Sequence, residues 1–144
     1  MLKGIHPLLT PGLLHALASM GHGDAFAIVD ANFPAASLGA RVIELPGASS
    51  SAALAAVLSV FPIDKFESPA VITMQRVGEP DTVPEAVDDF VKVFAAAGLG
   101  EFPFSSLERH AFYERARSSC VLVRTGDLRP YANILLVKGV INAL

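Results

Sequence analysis

The stretch Thr10-Pro11-Gly12-Leu13-Leu14-His15-Ala16-Leu17-Ala18-Ser19-Met20-Gly21-His22-Gly23-Asp24-Ala25-Phe26-Ala27-Ile28-Val29-Asp30 carries a helix, a turn and a strand in one pass. Thr10 suits the N-cap, because its hydroxyl can accept from a free N–H of the first turn. Pro11 fits the first helical position, where no N–H is needed. Leu13, Leu14 and Leu17 then supply one apolar helical face. Gly21 is expected to end the helix in a left-handed turn. Phe26 to Val29 is a short apolar run of strand length, suited to a strand buried on both faces.

The same alternation continues outward from this stretch. Val42 to Leu45 reads as a second strand and Pro46-Gly47 as a turn. Serines 49 to 51 offer N-caps for an Ala-rich helix through about Phe61. Ala70 to Met74 is a third strand, Gly78 to Pro84 a loop, and Pro84 opens a helix ending near Gly98. A charged helical stretch surrounds Glu108 to Arg117. Cys120 to Arg124 and Ile134 to Val137 are the last strands, with Thr125-Gly126-Asp127 a turn between them. Helices alternating with short apolar strands predict an α/β protein, a single compact domain over residues 1–144 whose largely buried sheet is flanked by helices.

Composition narrows the function classes. Only 17% of the 144 residues are charged, against ~25% in ordinary soluble domains, and the mean hydropathy is positive. Surface hidden between copies of the chain, a homo-oligomer, is the simple expectation. The net charge of −3 and the lack of a Lys/Arg stripe argue against nucleic acid. No apolar run approaches the ~20 residues of a membrane span. Cys120 is the only cysteine, which rules out an intrachain disulfide; its apolar surroundings read as those of a buried small hydrophobe. The first residues lack the long apolar run of a signal peptide, so the cytoplasm is expected.

Several residues could carry chemistry. His22 lies between two glycines, which leave its ring uncrowded, and imidazole exchanges protons near neutral pH. A solvated histidine in a capping turn fits the same spacing. Asp30 follows directly on a strand, at the end where open α/β sheets bind ligands; an Asx turn into Ala31-Asn32-Phe33-Pro34 is the plainer reading. Asp24 is expected to hold the His22 turn or orient its ring. If Glu108 to Ala116 is helical, Arg109 and Tyr113 share a face at i, i+4, while Phe112 and Ala116 pack inward. Such a stretch is also what a solvated, salt-bridged helix looks like. Tyr131 and Asn133, entering the last strand, could read ligand hydroxyls or serve a turn. Histidines at 6, 15, 22 and 110 show no metal-ligand spacing, and no phosphate loop, nucleophile elbow or dinucleotide fingerprint is present.

Taken together, the chain resembles the L-fucose mutarotase and D-ribose pyranase family (FucU/RbsD-like), most closely its fucose branch. The resemblance rests on Met1-Leu2-Lys3, Pro7-Leu8, Leu13-Leu14 and Met20-Gly21-His22-Gly23-Asp24. It continues through Asp30-Ala31-Asn32-Phe33-Pro34-Ala35, Ala111-Phe112-Tyr113-Glu114-Arg115-Ala116, Thr125-Gly126, Tyr131, Asn133-Ile134-Leu135-Leu136 and Lys138-Gly139-Val140. It is weakest between about Leu45 and Leu107. The family interconverts cyclic forms of a free monosaccharide without metal or organic cofactor, on an RbsD-like fold. It also implies ring-shaped oligomers, typically decamers of two pentamers, with sites near subunit boundaries.

By motif, the resemblance implies His22 as the catalytic histidine. It implies Asp30, Arg109, Tyr131 and Asn133 as sugar contacts, with Tyr113 lining the pocket. Around Arg109 the sequence Leu107-Glu108-Arg109-His110 differs from the pattern. Asn32 also departs from it, standing where the family carries histidine; it can donate and accept hydrogen bonds but cannot take a proton at neutral pH. That departure keeps a second function open: a monosaccharide-binding accessory of a sugar uptake operon, with little catalysis.

Overall fold

The computed structural model describes residues 1–39 and 41–143; positions 40 and 144 of the expected domain lie outside the described residues. Helix α1 (Pro11–Ser19) begins as expected, with the Thr10 hydroxyl accepting from Leu13 N–H at 3.3 Å and Leu13, Ala16 and Leu17 buried. It ends differently. Met20 is extended, Gly21 does not adopt positive φ, and the left-handed residue is Gly23 at φ 86°. The helix therefore runs out of hydrogen bonds at Ser19, and the sharp turn comes after His22 instead of before it.

Strand β1 (Ala25–Val29) follows, then a 3₁₀ turn (Ala36–Leu38) and β2 (Val42–Leu45). Helix α2 (Ser50–Leu58) starts at the Ser49 cap and stops before the expected Phe61. Strand β3 (Val71–Met74) and helix α3 (Glu85–Ala96) come next. A short strand that the sequence pattern did not suggest, β4 (Ser105–Leu107), precedes α4 (Arg109–Arg117). Strands β5 (Leu122–Thr125) and β6 (Ile134–Val137) complete the fold. Cys120 lies just outside β5 and is exposed, a correction to its reading as buried: it sits in the turn after α4, where the apolar run has not yet entered the sheet.

The six strands form one mixed sheet in the order β2-β5-β1-β6-β3-β4, flanked by helices. The β1–β5, β2–β5 and β3–β4 pairs are parallel, while β6 runs antiparallel to both β1 and β3. Thus β1, β2, β3, β4 and β5 point one way, and their carboxyl ends meet the start of β6. β1 and β6 at the centre are near-continuous apolar runs because both faces are covered: Phe26 to Val29 and Ile134 to Leu136 are fully buried. Each of these side chains except Ala27 contributes roughly 1.5–3 kcal/mol relative to exposure, before the cost of ordering it. The stable centre leaves the polar loops at the two ends of the sheet free to carry function.

Candidate functional site

At the carboxyl end of the sheet, five of the six expected residues come together. Asp30, Arg109, Tyr113, Tyr131 and Asn133, with Asn32, Phe33, Met74, Leu128 and Pro130, line one cavity of about 230 Å³. That is below the ~300–1,000 Å³ of sites for drug-sized ligands, and suits one small molecule.

Two hydrogen bonds between backbone N–H groups and side-chain oxygens tie the cavity residues together. Asp30 ends β1, and its N–H donates to Asn133 Oδ1 at 2.8 Å. Its carboxylate accepts from Asn32 N–H at 2.9 Å, so the residue that makes the Asx turn also lines the cavity. Burial pushes the Asp30 carboxyl above its ordinary value, against the Asn32, Asn133 and Phe33 bonds that pull it down. Asn133 is buried too. Its carbonyl is committed to Asp30 N–H, while its Nδ2 lies 3.9 Å from Met74 Sδ, a weak acceptor.

Arg109 is the first residue of α4, and its guanidinium lies 5.7 Å from the Tyr113 ring centroid, as the i, i+4 spacing predicted. Phe112 and Ala116 face inward, fully buried, and Phe33 packs edge-on against both Phe112 and Tyr113. A cation in a helix's first turn opposes the helix dipole at a cost of ~0.3–1 kcal/mol. Glu108 offsets this by capping His110 and Ala111 N–H at 2.9 and 3.2 Å, and the His110 bond holds its carboxyl below the usual range. Arg109 is kept where the helix alone would not choose it.

Tyr131 is a non-glycine residue at φ 61°, a conformation that costs ~1–2 kcal/mol, and its hydroxyl accepts from Val77 N–H at 3.1 Å. A buried polar network holds the loop that bears it. Ser50 Oγ donates to Ala132 O at 2.7 Å and pairs with Thr125 Oγ1 at 3.0 Å. Asp127 accepts from Ser50 N–H at 2.9 Å and from Arg129 Nη2 at 2.9 Å, and Arg129 reaches on to Asp89. Local strain at Tyr131 survives because this network over-determines the loop.

His22 is not in this cavity. It precedes β1, whereas Asp30 follows it, so at least ~13 Å of strand separates them at ~3.3 Å per residue. Its surroundings are nevertheless organised. Asp24 Oδ2 accepts from Gly21 N–H at 2.7 Å and holds the turn, as expected. Lys138 donates to Leu17 O and Met20 O at 2.7 and 2.6 Å, fastening the end of α1. The ring Nε2 lies 3.1 Å from Oδ1 of Asp64, a buried carboxylate, with Phe66 edge-on at 5.6 Å. Sequence reading passed over Asp64 because it lies in the stretch where the family pattern is weakest, 42 positions from its partner. Among the described residues no three His, Cys, Asp or Glu side chains gather to hold a metal ion.

A buried carboxylate, a guanidinium, two phenols and two amides line a small cavity with an apolar wall in this α/β protein, groups that can hydrogen-bond a small polyhydroxylated molecule. The match to a known family makes this specific: residues 3–141 fit the RbsD / FucU transport protein family, to which the chain belongs. It is 39% identical over 141 residues to the L-fucose mutarotase of Histophilus somni strain 2336, covering 97% of each chain. Its fold is similar to that of the fucose mutarotase of Streptococcus pneumoniae solved in complex with L-fucose, at TM-score 0.91 and 33% identity over 98% of this chain and 100% of that one. FucU from Bifidobacterium longum gives TM-score 0.89 at 36% identity, covering 97% and 100%.

Proposed function

We propose that this protein is a cofactor-independent sugar mutarotase that interconverts the anomers of a free monosaccharide of the L-fucose type. The observation that carries it is the convergence of Asp30, Arg109, Tyr113, Tyr131 and Asn133 on one cavity, together with close likeness over the whole chain to fucose mutarotases. Ring opening moves the proton of the anomeric hydroxyl to the catalytic group, which hands it to the ring oxygen as the bond between C1 and that oxygen breaks and leaves its pair on oxygen. Closure on the other carbonyl face reverses both transfers. One positioned acid–base group, worth ~10²–10⁴-fold, suffices for a reaction that already proceeds in water. His22 is that group. Asp30, Arg109, Tyr131 and Asn133 hold the hydroxyls, and Tyr113 with Phe33 and Met74 forms the wall. Asn32, at the cavity mouth, reads a hydroxyl without moving a proton.

Because β1 keeps His22 from its own chain's cavity, the site is completed by a second copy, whose His22 reaches the Asp30 cavity across a subunit boundary. The low charge, the exposed Phe66 beside His22, and an apolar groove of about 430 Å³ lined by Phe66, Val140 and Ile141 all suit a ring-shaped homo-oligomer, a decamer by family likeness. Its place is the cytoplasm, where free sugars arrive after uptake.

Exchange NMR on a panel of free sugars tests the activity. Exchange between anomers at catalytic protein concentration is expected for L-fucose. It falls to the uncatalysed rate in His22→Ala, with the fold retained. Binding shifts without faster exchange would instead make the protein a sugar-binding accessory.

A further inference from the structure

We propose that Asp64 is a positioning residue for His22: it accepts the hydrogen bond from Nε2–H and leaves Nδ1 as the nitrogen that meets the sugar. The inference rests on the reading of His22 as the proton-transfer group.

The carboxylate is held from three directions. Asp64 N–H donates to Val137 O at 3.0 Å, at the end of β6. Its Oδ1 accepts from Phe66 N–H and its Oδ2 from Glu67 N–H, each at 3.1 Å. The Phe66 bond is the main reason its carboxyl sits below the usual range, so the group is an acceptor at neutral pH. An ionised carboxylate can only accept, so the neutral imidazole facing it must carry its proton on Nε2. The other nitrogen, Nδ1, then bears the lone pair, on a side chain that is 45% exposed.

The two turns are tied to the same strand end, which fixes their distance. Gly23 N–H donates to Lys138 O at 2.9 Å, and Lys138 N–H to Asp24 O at 2.8 Å. On the other side Ile63 bridges to Lys138, and Gly139 N–H donates to Pro62 O at 2.9 Å. Gly139 is what permits this approach: a Cβ there would lie 2.6 Å from Ile63 O and 2.9 Å from Asp64 Cα. Phe66, edge-on to the imidazole, covers one side of the ring.

During catalysis the proton therefore passes between the sugar and Nδ1. Asp64 stays ionised and steadies the imidazolium formed when His22 takes the anomeric proton. The imidazolium gives that proton to the ring oxygen as the C1–oxygen bond breaks, and closure reverses both transfers, so His22 and Asp64 end as they began.

Long-range ¹H–¹⁵N correlation of the His22 imidazole in the assembled protein, assigned by loss of the signals in His22→Ala, reads the tautomer directly. The native ring is expected to be protonated at Nε2, with Nδ1 of pyridine type. In Asp64→Asn that preference is lost and kcat for anomer exchange falls about 10-fold with KM nearly unchanged, a part of the ~10²–10⁴-fold expected of the whole acid–base group. Gly139→Ala, which moves Asp64 without altering it, should shift the tautomer in the same direction. A native ring protonated at Nδ1 overturns the proposal. So does an unchanged tautomer in Asp64→Asn, whatever happens to stability or rate. Failure of the proposed function would look different: full activity in His22→Ala, irrespective of the imidazole signals.

Discussion

At the carboxyl end of β1, Asp30 keeps 7% of its surface, and its raised carboxyl reflects a charge that burial disfavours. The folded chain holds the Asp30 proton to higher pH than the unfolded chain does. Its contribution to stability is thus full below the ordinary carboxylate value and is lost as pH rises through the raised value. Asp30→Asn removes that loss and keeps an acceptor for Asn32 N–H. It should raise the thermal midpoint at pH 7 relative to the native protein, with the gain shrinking towards pH 4, while abolishing sugar binding. Thermal melts across that range and a sugar titration check both parts; a lower midpoint at pH 7 would contradict the burial argument. His22 shows the limit of reading single residues. Its flanking glycines marked the turn, and the strand read between His22 and Asp30 already set the two at opposite ends of β1; what single residues could not show is the Asp64 carboxylate facing its ring. Asp64 was invisible because its role depends on the approach of two loops, not on local pattern.

The helices and central strands were legible because their apolar periods and caps are strong: Thr10 and Ser49 cap where expected, and β1, β3 and β6 fall on the apolar runs. β4 was not legible, since Ser105-Ser106-Leu107 carries no apolar run and exists only as an edge partner of β3. The i, i+4 pairing of Arg109 and Tyr113 was legible; the network under Tyr131 was not, because Ser50 and Asp127 are 77 positions apart. The turns after β2 and β5 pack together tightly. A Cβ at Gly126 would lie 2.0 Å from Pro46 O, while Gly126 N–H donates to Ala48 O at 2.9 Å. Gly126→Ala forces backbone apart and should cost about 1–3 kcal/mol, as overpacking does. Denaturant unfolding should show a lower midpoint at unchanged slope. Sugar affinity falls with it, because Asp127 anchors the loop bearing Tyr131.

On the scale of the whole molecule, the sheet direction decides how the site is assembled. The parallel strands run toward the end that bears the Asp30 cavity, and the antiparallel β6 returns to the other, where Lys138 fastens the His22 turn. On the proposed reading a single chain therefore carries two half-sites at opposite ends of β1. Dissociation into monomers should silence the enzyme without unfolding it, which ultracentrifugation beside an exchange assay can check by dilution. The most direct measurement is the anomer-exchange rate of a co-assembled mixture of His22→Ala and Asp30→Asn chains. Each variant alone should be inactive. The mixture should regain activity, because some boundaries pair an intact His22 with an intact Asp30 cavity. A silent mixture of well-formed mixed oligomers would contradict a site shared between copies, and activity in His22→Ala alone would remove His22 from the chemistry.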